Sequence, residues 1–199
     1  MEFVFDALAD GRPIKCLTAV DDCIKECVAI AVGRRLNRQG VPDALEAVCR
    51  FRGYPTLIRT DQEPEFTGRA LDQWASINGV RLMLAQPGKP TQNAYIESFN
   101  GKFRDECLNE NWFVSLEHAR AVIGAWRHDY NQVRLHRSIA DQTPADFAAT
   151  LRETDRLATE QTTSDKLNNQ DSTKQPLVLK TGQVNAKQMC MRLSVRHEA

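Results

Sequence analysis

Two acidic residues stand at positions where a fold could use them for metal-dependent phosphate chemistry. Asp61 follows a β-branched segment, residues 56–60, that is typical of a buried strand. Open α/β sheets bind their ligands beyond the carboxyl ends of such strands. Glu97 lies in the first turns of a predicted helix, and 35 residues separate it from Asp61. Because Mg²⁺ prefers hard carboxylate oxygens, two such side chains brought together could bind a divalent cation.

The predicted helix around Glu97 places polar side chains beside an apolar stripe. The stripe consists of four residues at helical spacing: Ile96, Phe99, Phe103 and Cys107. Glu97, Asn100 and Arg104 therefore share an adjoining face, with Arg104 nearly two turns beyond Glu97. Glu97 does not complete a capping box, because Ala94 stands three residues before it. The column could serve a metal and a phosphate, or it could be a solvated face with an ordinary ion pair.

The elements that must position these acids follow an order typical of a mixed α/β sheet flanked by helices. The alternation and turn patterns predict, in chain order, strands at 3–8, 14–20 and 27–32, a helix at 42–53, a strand at 56–60, a helix after 67, a strand at 81–85, and helices at 93–109 and from the Ser115 cap onward. We expect the first three strands to be antiparallel and the later ones to be parallel.

The composition changes near residue 150. From about residue 159 to residue 175 the chain consists mostly of threonine, glutamine, asparagine, serine, aspartate and lysine, with almost no aliphatic side chains. Such a composition is typical of disorder, because it offers little apolar surface to bury. We therefore predict a folded domain at 1–150 and a low-complexity, largely disordered tail at 151–199.

Charge and hydropathy limit the classes of protein to which the chain can belong. Its 26 basic and 26 acidic side chains cancel, which argues against a non-specific nucleic-acid binder held only by phosphate neutralisation. The densest apolar run, residues 28–32, is far shorter than the ~18 residues that a membrane helix needs. The N-terminal residues have no basic stretch before an apolar one, so they do not predict a signal peptide. We expect a cytoplasmic protein with no membrane partner.

Three motifs carry a family resemblance that extends over residues 1–150. The first is Pro-Gly-Lys-Pro-Thr-Gln-Asn-Ala-Tyr-Ile-Glu-Ser-Phe-Asn-Gly at 87–101, followed by Arg-Asp-Glu at 104–106. The others are Asp-Tyr-Asn-Gln-Val-Arg-Leu-His-Arg-Ser at 129–138 and Thr-Pro-Ala-Asp-Phe at 143–147. These motifs resemble bacterial insertion-sequence transposases with a retroviral-integrase-type catalytic core. The resemblance implies a ribonuclease H-like fold.

The resemblance also implies a catalytic triad of two aspartates and a glutamate, with 35 residues between the last two. On this chain the triad maps to Glu2, Asp61 and Glu97, as catalytic residues and as ligands of two Mg²⁺ or Mn²⁺ ions. Two such ions about 3.5–4 Å apart can activate water or a 3′ hydroxyl and stabilise the leaving oxygen. The implied activity is phosphodiester hydrolysis and strand transfer during DNA integration. The implied partners are DNA, as transposon ends and target, and a second copy of the chain or a full-length transposase.

Polar and basic residues near these motifs are candidates for DNA contact: Lys89, Asn93, Asn100, Lys102, Arg104, Arg134 and His136. The resemblance implies Arg104 directly, as the basic residue seven positions beyond Glu97. Lys89 and Lys102 could join it in a basic rim around an acidic centre, or they could be ordinary exposed charges. Arg134 and His136 follow a predicted helix in a polar turn, where they could bind the DNA backbone or fix the loop.

The first acid departs from the family pattern. The family has methionine-aspartate-phenylalanine-valine where this chain has Met1-Glu2-Phe3-Val4. The extra methylene shifts the carboxylate by up to ~1.5 Å. Catalytic groups tolerate displacements of about 0.5 Å, and an error near 1 Å can cost on the order of a hundredfold in rate.

Two further departures bear on activity. Gln62-Glu63 stands where the family has asparagine-glycine, so Glu63 would be strained if the loop needed a positive φ. The helical DNA-binding region expected ahead of the core is missing from this sequence. We therefore expect a transposase core that is impaired by truncation and by the glutamate at position 2. The alternative is a non-catalytic truncated transposase that binds and inhibits the full-length enzyme or DNA.

Overall fold

The computed structural model of the chain describes residues 1–85 and 93–168. In chain order, its strands and helices are β1 (Glu2–Ala7), β2 (Pro13–Val20), β3 (Cys27–Gly33), α1 (Gly40–Arg52), β4 (Leu57–Thr60), α2 (Arg69–Ile77), β5 (Arg81–Leu84), α3 (Ala94–Phe103), α4 (Leu116–Gln132) and α5 (Pro144–Asn168). A π-helical turn, Arg104–Leu108, extends α3, and a 3₁₀ turn, Arg137–Ile139, follows α4. The order and type of the predicted elements are confirmed.

The strands form an antiparallel part and a parallel part, as predicted. Strands β1, β2 and β3 are antiparallel neighbours in that order, with Glu2 opposite Thr18 on the first pair. Strands β4 and β5 pair in parallel. The Met1 amino group donates a hydrogen bond of 2.6 Å to the Arg59 carbonyl of β4, so the start of β1 lies beside the end of β4. This placement brings residue 2 towards residue 61.

The core is divided by the antiparallel strands into two apolar clusters, because successive side chains of a strand point to opposite faces. Val4 and Cys16 pack with α3 and α4, while Phe3 and Leu17 pack with α1 and α2. Both faces of the sheet are therefore covered by helices. A polar side chain on the same face of β1 or β2 as Val4 or Cys16 therefore points towards α3 and α4.

Aromatic side chains fix α3 against α4. Phe99 and Phe103, both almost fully buried, lie 5.6 Å and 5.1 Å from the Trp126 ring, and Phe99 meets the Tyr130 ring edge-on at 5.0 Å. Helix α4 begins at the predicted cap, where the Ser115 hydroxyl accepts from the His118 N–H at 3.1 Å. The apolar stripe predicted for the Glu97 helix is thus the surface that packs on α4, and the Glu97 face is left for other contacts.

Helix α5 crosses position 150, where the composition changes, and continues to Asn168. The segment 151–168 is therefore helical, and the division of the chain into a domain at 1–150 and a tail stays a prediction. Over the two ranges that the structure describes, no helix is both long enough and apolar enough to cross a membrane.

Candidate active site

Glu2, the first residue of β1, is held by a hydrogen-bonded chain of side chains. Asn100 of α3 donates from Nδ2 to Glu2 Oε2 at 2.9 Å, and the Thr18 hydroxyl donates to Asn100 Oδ1 at 2.8 Å. Thr18 is fully buried, and its hydroxyl also lies 3.1 Å from the Glu2 carbonyl oxygen. The three side chains lie between the antiparallel strands and α3, because Glu2 and Thr18 point to the same face of the sheet as Val4 and Cys16.

The pKa of Glu2 responds to its burial and to the charges of the other two predicted acids, Asp61 and Glu97. Burial raises the pKa of Glu2, and the charges of Asp61 and Glu97 raise it further. The Met1 ammonium and the hydrogen bond from Asn100 lower the same pKa, but the net shift is upward. The hydrogen bonds agree with this, because Met1 contacts the carbonyl of Arg59, two residues before Asp61, and Glu2 contacts Asn100, one turn after Glu97.

Asp61 directly follows β4 and is half-buried. The Glu63 N–H donates to Asp61 Oδ1 at 3.1 Å, which closes a turn of the Asx type. Among the described residues other than glycine, positive φ angles occur at Lys25, Ala140 and Asp141, not at Glu63. The loop therefore does not need the conformation that glycine provides, and the strain considered for Glu63 is not present.

Lys15 of β2 fastens the loop after β4 to the antiparallel strands. Its Nζ lies 2.6 Å from a Glu65 carboxylate oxygen, 3.5 Å from one of Glu63, and 3.6 Å from the centroid of the Phe3 ring. Phe66, at the end of the loop, stacks on Phe3 at 4.8 Å. We call Lys15, Glu63 and Glu65 the Lys15 clamp. It connects the loop that begins at Asp61 to β2 and, through the contact of Lys15 with the Phe3 ring, to β1, the strand that carries Glu2.

Glu97 lies in the first turn of α3 and is exposed. Its backbone N–H donates to the Asn93 carbonyl at 3.0 Å, while the Asn93 side chain makes no capping hydrogen bond. A carboxylate in the first turn interacts favourably with the positive end of the helix dipole. The side chain is thus free of a capping role, as predicted from the position of Ala94.

The residue types around Glu2 suit a hard divalent cation. Three carboxylates could supply oxygen ligands. Burial chiefly raises the pKa of Glu2 and repulsion from Asp61 and Glu97 adds to it, and a bound cation would relieve that repulsion. Within residues 1–85 and 93–168, no three histidine, cysteine or acidic side chains are grouped closely enough to hold a metal ion. The three acids are therefore electrostatic neighbours in this structure and not a closed set of ligands.

Two of the predicted DNA contacts on α3 have different surroundings. Asn100 uses both ends of its amide within the protein, on Glu2 and Thr18. Arg104, at the start of the π-helical turn, is exposed and donates from Nη1 to the Phe5 carbonyl at 3.3 Å. Arg104 therefore keeps most of its donors for other partners.

Arg134 and His136 lie in the turn after α4. Arg134 forms an ion pair with Glu106, and its guanidinium lies 5.7 Å from the centroid of the Tyr130 ring. His136 is buried. Its backbone N–H donates to the Gln142 carbonyl at 2.9 Å, and the centroid of its ring lies 4.9 Å from that of the Tyr130 ring. Both residues thus hold this turn against its neighbours, and their role in DNA contact stays a prediction.

The remaining candidates for DNA contact are less constrained. Lys102 is exposed on the last turn of α3, and Asn93 precedes the first turn. Lys89 lies outside the described residues. The sequence analysis missed Thr18 and Lys15, which hold Glu2 and the loop after Asp61 respectively. In the sequence, both are visible only as polar residues within the otherwise apolar strand at 14–20.

The chain matches protein families in two overlapping segments. Residues 1–90 and residues 78–144 each match a family model described as an integrase core domain. A protein of insertion element IS407 from Burkholderia multivorans is 62% identical over 154 residues, which cover 77% of this chain and 56% of that protein. A protein of insertion element IS476 from Xanthomonas euvesicatoria is 57% identical over 152 residues, 76% of this chain and 44% of that protein. The chain thus spans about half the length of these relatives.

The fold is also that of a solved integrase domain. The catalytic core domain of HTLV-2 integrase, solved in complex with magnesium, superposes with a TM-score of 0.57 over 73% of this chain and 93% of that domain. The two are 13% identical, so this likeness concerns the fold alone. It confirms the predicted ribonuclease H-like sheet with flanking helices. The sequence matches show that the chain belongs to the insertion-sequence transposases with an integrase-type catalytic core.

Proposed function

We propose that this chain catalyses metal-dependent phosphodiester hydrolysis and strand transfer on DNA, with Glu2, Asp61 and Glu97 as the catalytic acids. The observation that carries the proposal is a pair of hydrogen bonds: Met1 donates to the Arg59 carbonyl of the strand that Asp61 follows, and Asn100 of the Glu97 helix donates to Glu2. The charges of Asp61 and Glu97, 59 and 95 positions further along the chain, add to the effect of burial in raising the pKa of Glu2. Membership of the transposase family supports DNA transposition as the process in which the chain takes part.

The three acids have one role in this proposal, which is to bind Mg²⁺ or Mn²⁺. Divalent cations held there would supply an activated water or 3′ hydroxyl and would stabilise the leaving oxygen of an in-line displacement. Glu2 is positioned by Asn100, and Asp61 is held in a turn by its own loop. No side-chain nucleophile is required, because the attacking oxygen belongs to water or DNA.

The DNA partner is proposed to approach from the exposed end of α3. Lys102 and Arg104 are both exposed there, and positive side chains near an acidic centre attract phosphates and orient the duplex. We propose transposon ends and target DNA as substrates. A second copy of the chain, or a full-length transposase, would complete the assembly.

The test is strand cleavage and joining by the purified chain. Labelled duplex carrying a transposon end is incubated with Mg²⁺ or Mn²⁺, beside the variants Asp61→Asn and Glu97→Gln and the control Glu110→Gln. We expect the first two variants to reduce the rate at least a hundredfold, since each removes a charged ligand, and we expect the control, an exposed glutamate, to match the wild type. Cleavage that needs no metal, or that survives both variants, contradicts the proposal.

A second function is favoured by the glutamate at position 2, where the family has aspartate. The chain would then act as a non-catalytic partner that binds a full-length transposase or DNA and lowers transposition. Inactivity of the wild type together with binding to a full-length transposase of the same family in co-purification would support this function. Strand transfer by the chain alone would exclude it.

A further inference from the structure

Asn100 is placed to do more than contact DNA, because both ends of its amide are already committed. Its Nδ2 faces the Glu2 carboxylate at 2.9 Å, and its Oδ1 faces the Thr18 hydroxyl at 2.8 Å. A carboxylate can only accept hydrogen bonds, so the amide must present nitrogen to Glu2. The oxygen must then face Thr18, and the Thr18 hydroxyl supplies the proton that this oxygen needs.

The opposite amide orientation is disfavoured by the same groups. If the amide were reversed, Oδ1 would lie against Glu2 Oε2, and two acceptors would face each other without a proton. The Thr18 hydroxyl has one proton, and in the observed arrangement it goes to the shorter of its two contacts, Oδ1 rather than the Glu2 carbonyl. The Glu2 carboxylate thus sets the orientation of the amide, and the buried hydroxyl of Thr18 holds the oxygen end of Asn100 in that orientation.

These contacts join three elements at one carboxylate. Thr18 lies opposite Glu2 in the β1–β2 register, and Asn100 reaches both from α3, which is held in place by its buried aromatic side chains. The hydrogen bond from Asn100 occupies Oε2. Within the described part of the chain no group donates a hydrogen bond to Oε1, so that oxygen stays available to a ligand.

We propose that Thr18 and Asn100 form a positioning pair that holds the Glu2 carboxylate in the orientation needed to bind a divalent cation. Neither residue contacts the reacting atoms: Asn100 acts through Glu2, and Thr18 acts through Asn100. The pair rests on the proposed function in one respect, which is that Glu2 is a metal ligand. It assigns Asn100 to the acidic centre instead of the DNA surface.

The test measures Mn²⁺ affinity by calorimetric titration of the purified chain, without DNA. Thr18→Val keeps the shape of the side chain and removes its hydroxyl, and we expect it to weaken Mn²⁺ binding about fivefold. Asn100→Ala removes a hydrogen bond to a charged group, and we expect a loss of about tenfold or more. Thr18→Ser keeps the hydroxyl and should restore wild-type affinity.

A matched control separates the hydroxyl from the general effect of a buried threonine-to-valine change. Thr60 is also buried, and its hydroxyl has no hydrogen-bond partner in the described structure. Thr60→Val should therefore leave Mn²⁺ affinity unchanged. Thermal unfolding of each variant identifies any that fail to fold, and the side-chain amide resonances of Asn100, followed by NMR, report the contact directly. They should shift in Thr18→Val and not in Thr60→Val.

The outcomes distinguish this proposal from the proposed function. Wild-type affinity in folded Thr18→Val and Asn100→Ala overturns the positioning pair, even if the chain transfers strands. Absence of Mn²⁺ binding in the wild type also overturns it. If both variants weaken binding while the wild type fails to transfer strands, the positioning pair stands and the proposed catalytic function does not.

Discussion

At position 2 the glutamate side chain is one methylene longer than the aspartate of the family, and a hydrogen bond from Asn100 holds its carboxylate. The longer side chain moves the carboxylate by up to ~1.5 Å from where aspartate would place it. In this structure Asn100 meets that carboxylate at its extended position, 2.9 Å away. The departure from the family pattern is therefore accommodated by a specific hydrogen bond, although the distance of the carboxylate from β1 still differs from that of an aspartate.

Replacing Glu2 by aspartate sets two effects against each other. Correcting a misplacement near 1 Å is worth on the order of a hundredfold in rate, while losing the hydrogen bond from Asn100 costs about tenfold. We therefore expect Glu2→Asp to raise the rate of Mg²⁺-dependent strand cleavage about tenfold, and Glu2→Gln, which lacks the charge, to abolish it. A Glu2→Asp rate below that of the wild type would show that the extended carboxylate is the functional one.

The predictions at the residue scale succeeded where local pattern is informative. Ala94, three residues before Glu97, is enough to predict that Glu97 does not complete a capping box. The spacing of 35 residues between Asp61 and Glu97 is read directly from the sequence. The contact of Asn100 with Glu2 crosses 98 positions, and helix periodicity predicts only the face on which Asn100 lies. Periodicity does not say which element covers that face, so DNA was the natural partner to predict.

At the scale of elements, the Lys15 clamp connects the loop after β4 to β1 and β2. Lys15 is 12% exposed, so its contacts with Glu65 and with the Phe3 ring are weakly screened by water. Such contacts are worth more than an exposed ion pair. They anchor a loop whose turn is closed by the Asp61 carboxylate.

We expect Lys15→Met to lower the free energy of unfolding by about 2 kcal/mol, because it removes a charge-assisted hydrogen bond and a cation–π contact. Urea unfolding followed by circular dichroism measures this change. The control, Lys102→Met, alters an exposed lysine and should change the free energy of unfolding by less than about 0.5 kcal/mol. Equal effects of the two substitutions would show that the Lys15 clamp does not stabilise the fold.

At the scale of the whole molecule, the turn after α4 makes stability depend on pH. Burial lowers the pKa of His136 below its ordinary 6.5, and the charges of Lys102, Arg134 and Lys25 lower it further, while the carbonyl of Tyr130 acts in the opposite direction. The unfolded chain therefore binds a proton more readily than the folded one. The contribution of neutral His136 to the free energy of unfolding is fully present above about pH 6.5, and it is lost as the pH falls towards the lowered pKa.

This dependence is tested by measuring the free energy of unfolding between pH 7.5 and pH 5 for the wild type and for His136→Gln. We expect the wild type to lose more stability over this range than the variant does, even if the variant is less stable at pH 7.5. The raised pKa of Glu2 is common to both proteins, so the difference in slope isolates His136. His128→Gln, at an exposed position, should keep the wild-type slope, and parallel curves for wild type and His136→Gln would contradict the assignment.

By itself, the sequence determined the order of strands and helices, the helix start at Ser115 and the acids available for chemistry, because turn residues, caps and apolar periodicity act over a few neighbouring positions. Only the tertiary structure decided that Asn100 and Thr18 hold Glu2, that Lys15 fastens the loop of Asp61, and that His136 is buried. These contacts join residues from different elements. Their partners are selected by how helices pack on the two faces of the sheet, which no local pattern records.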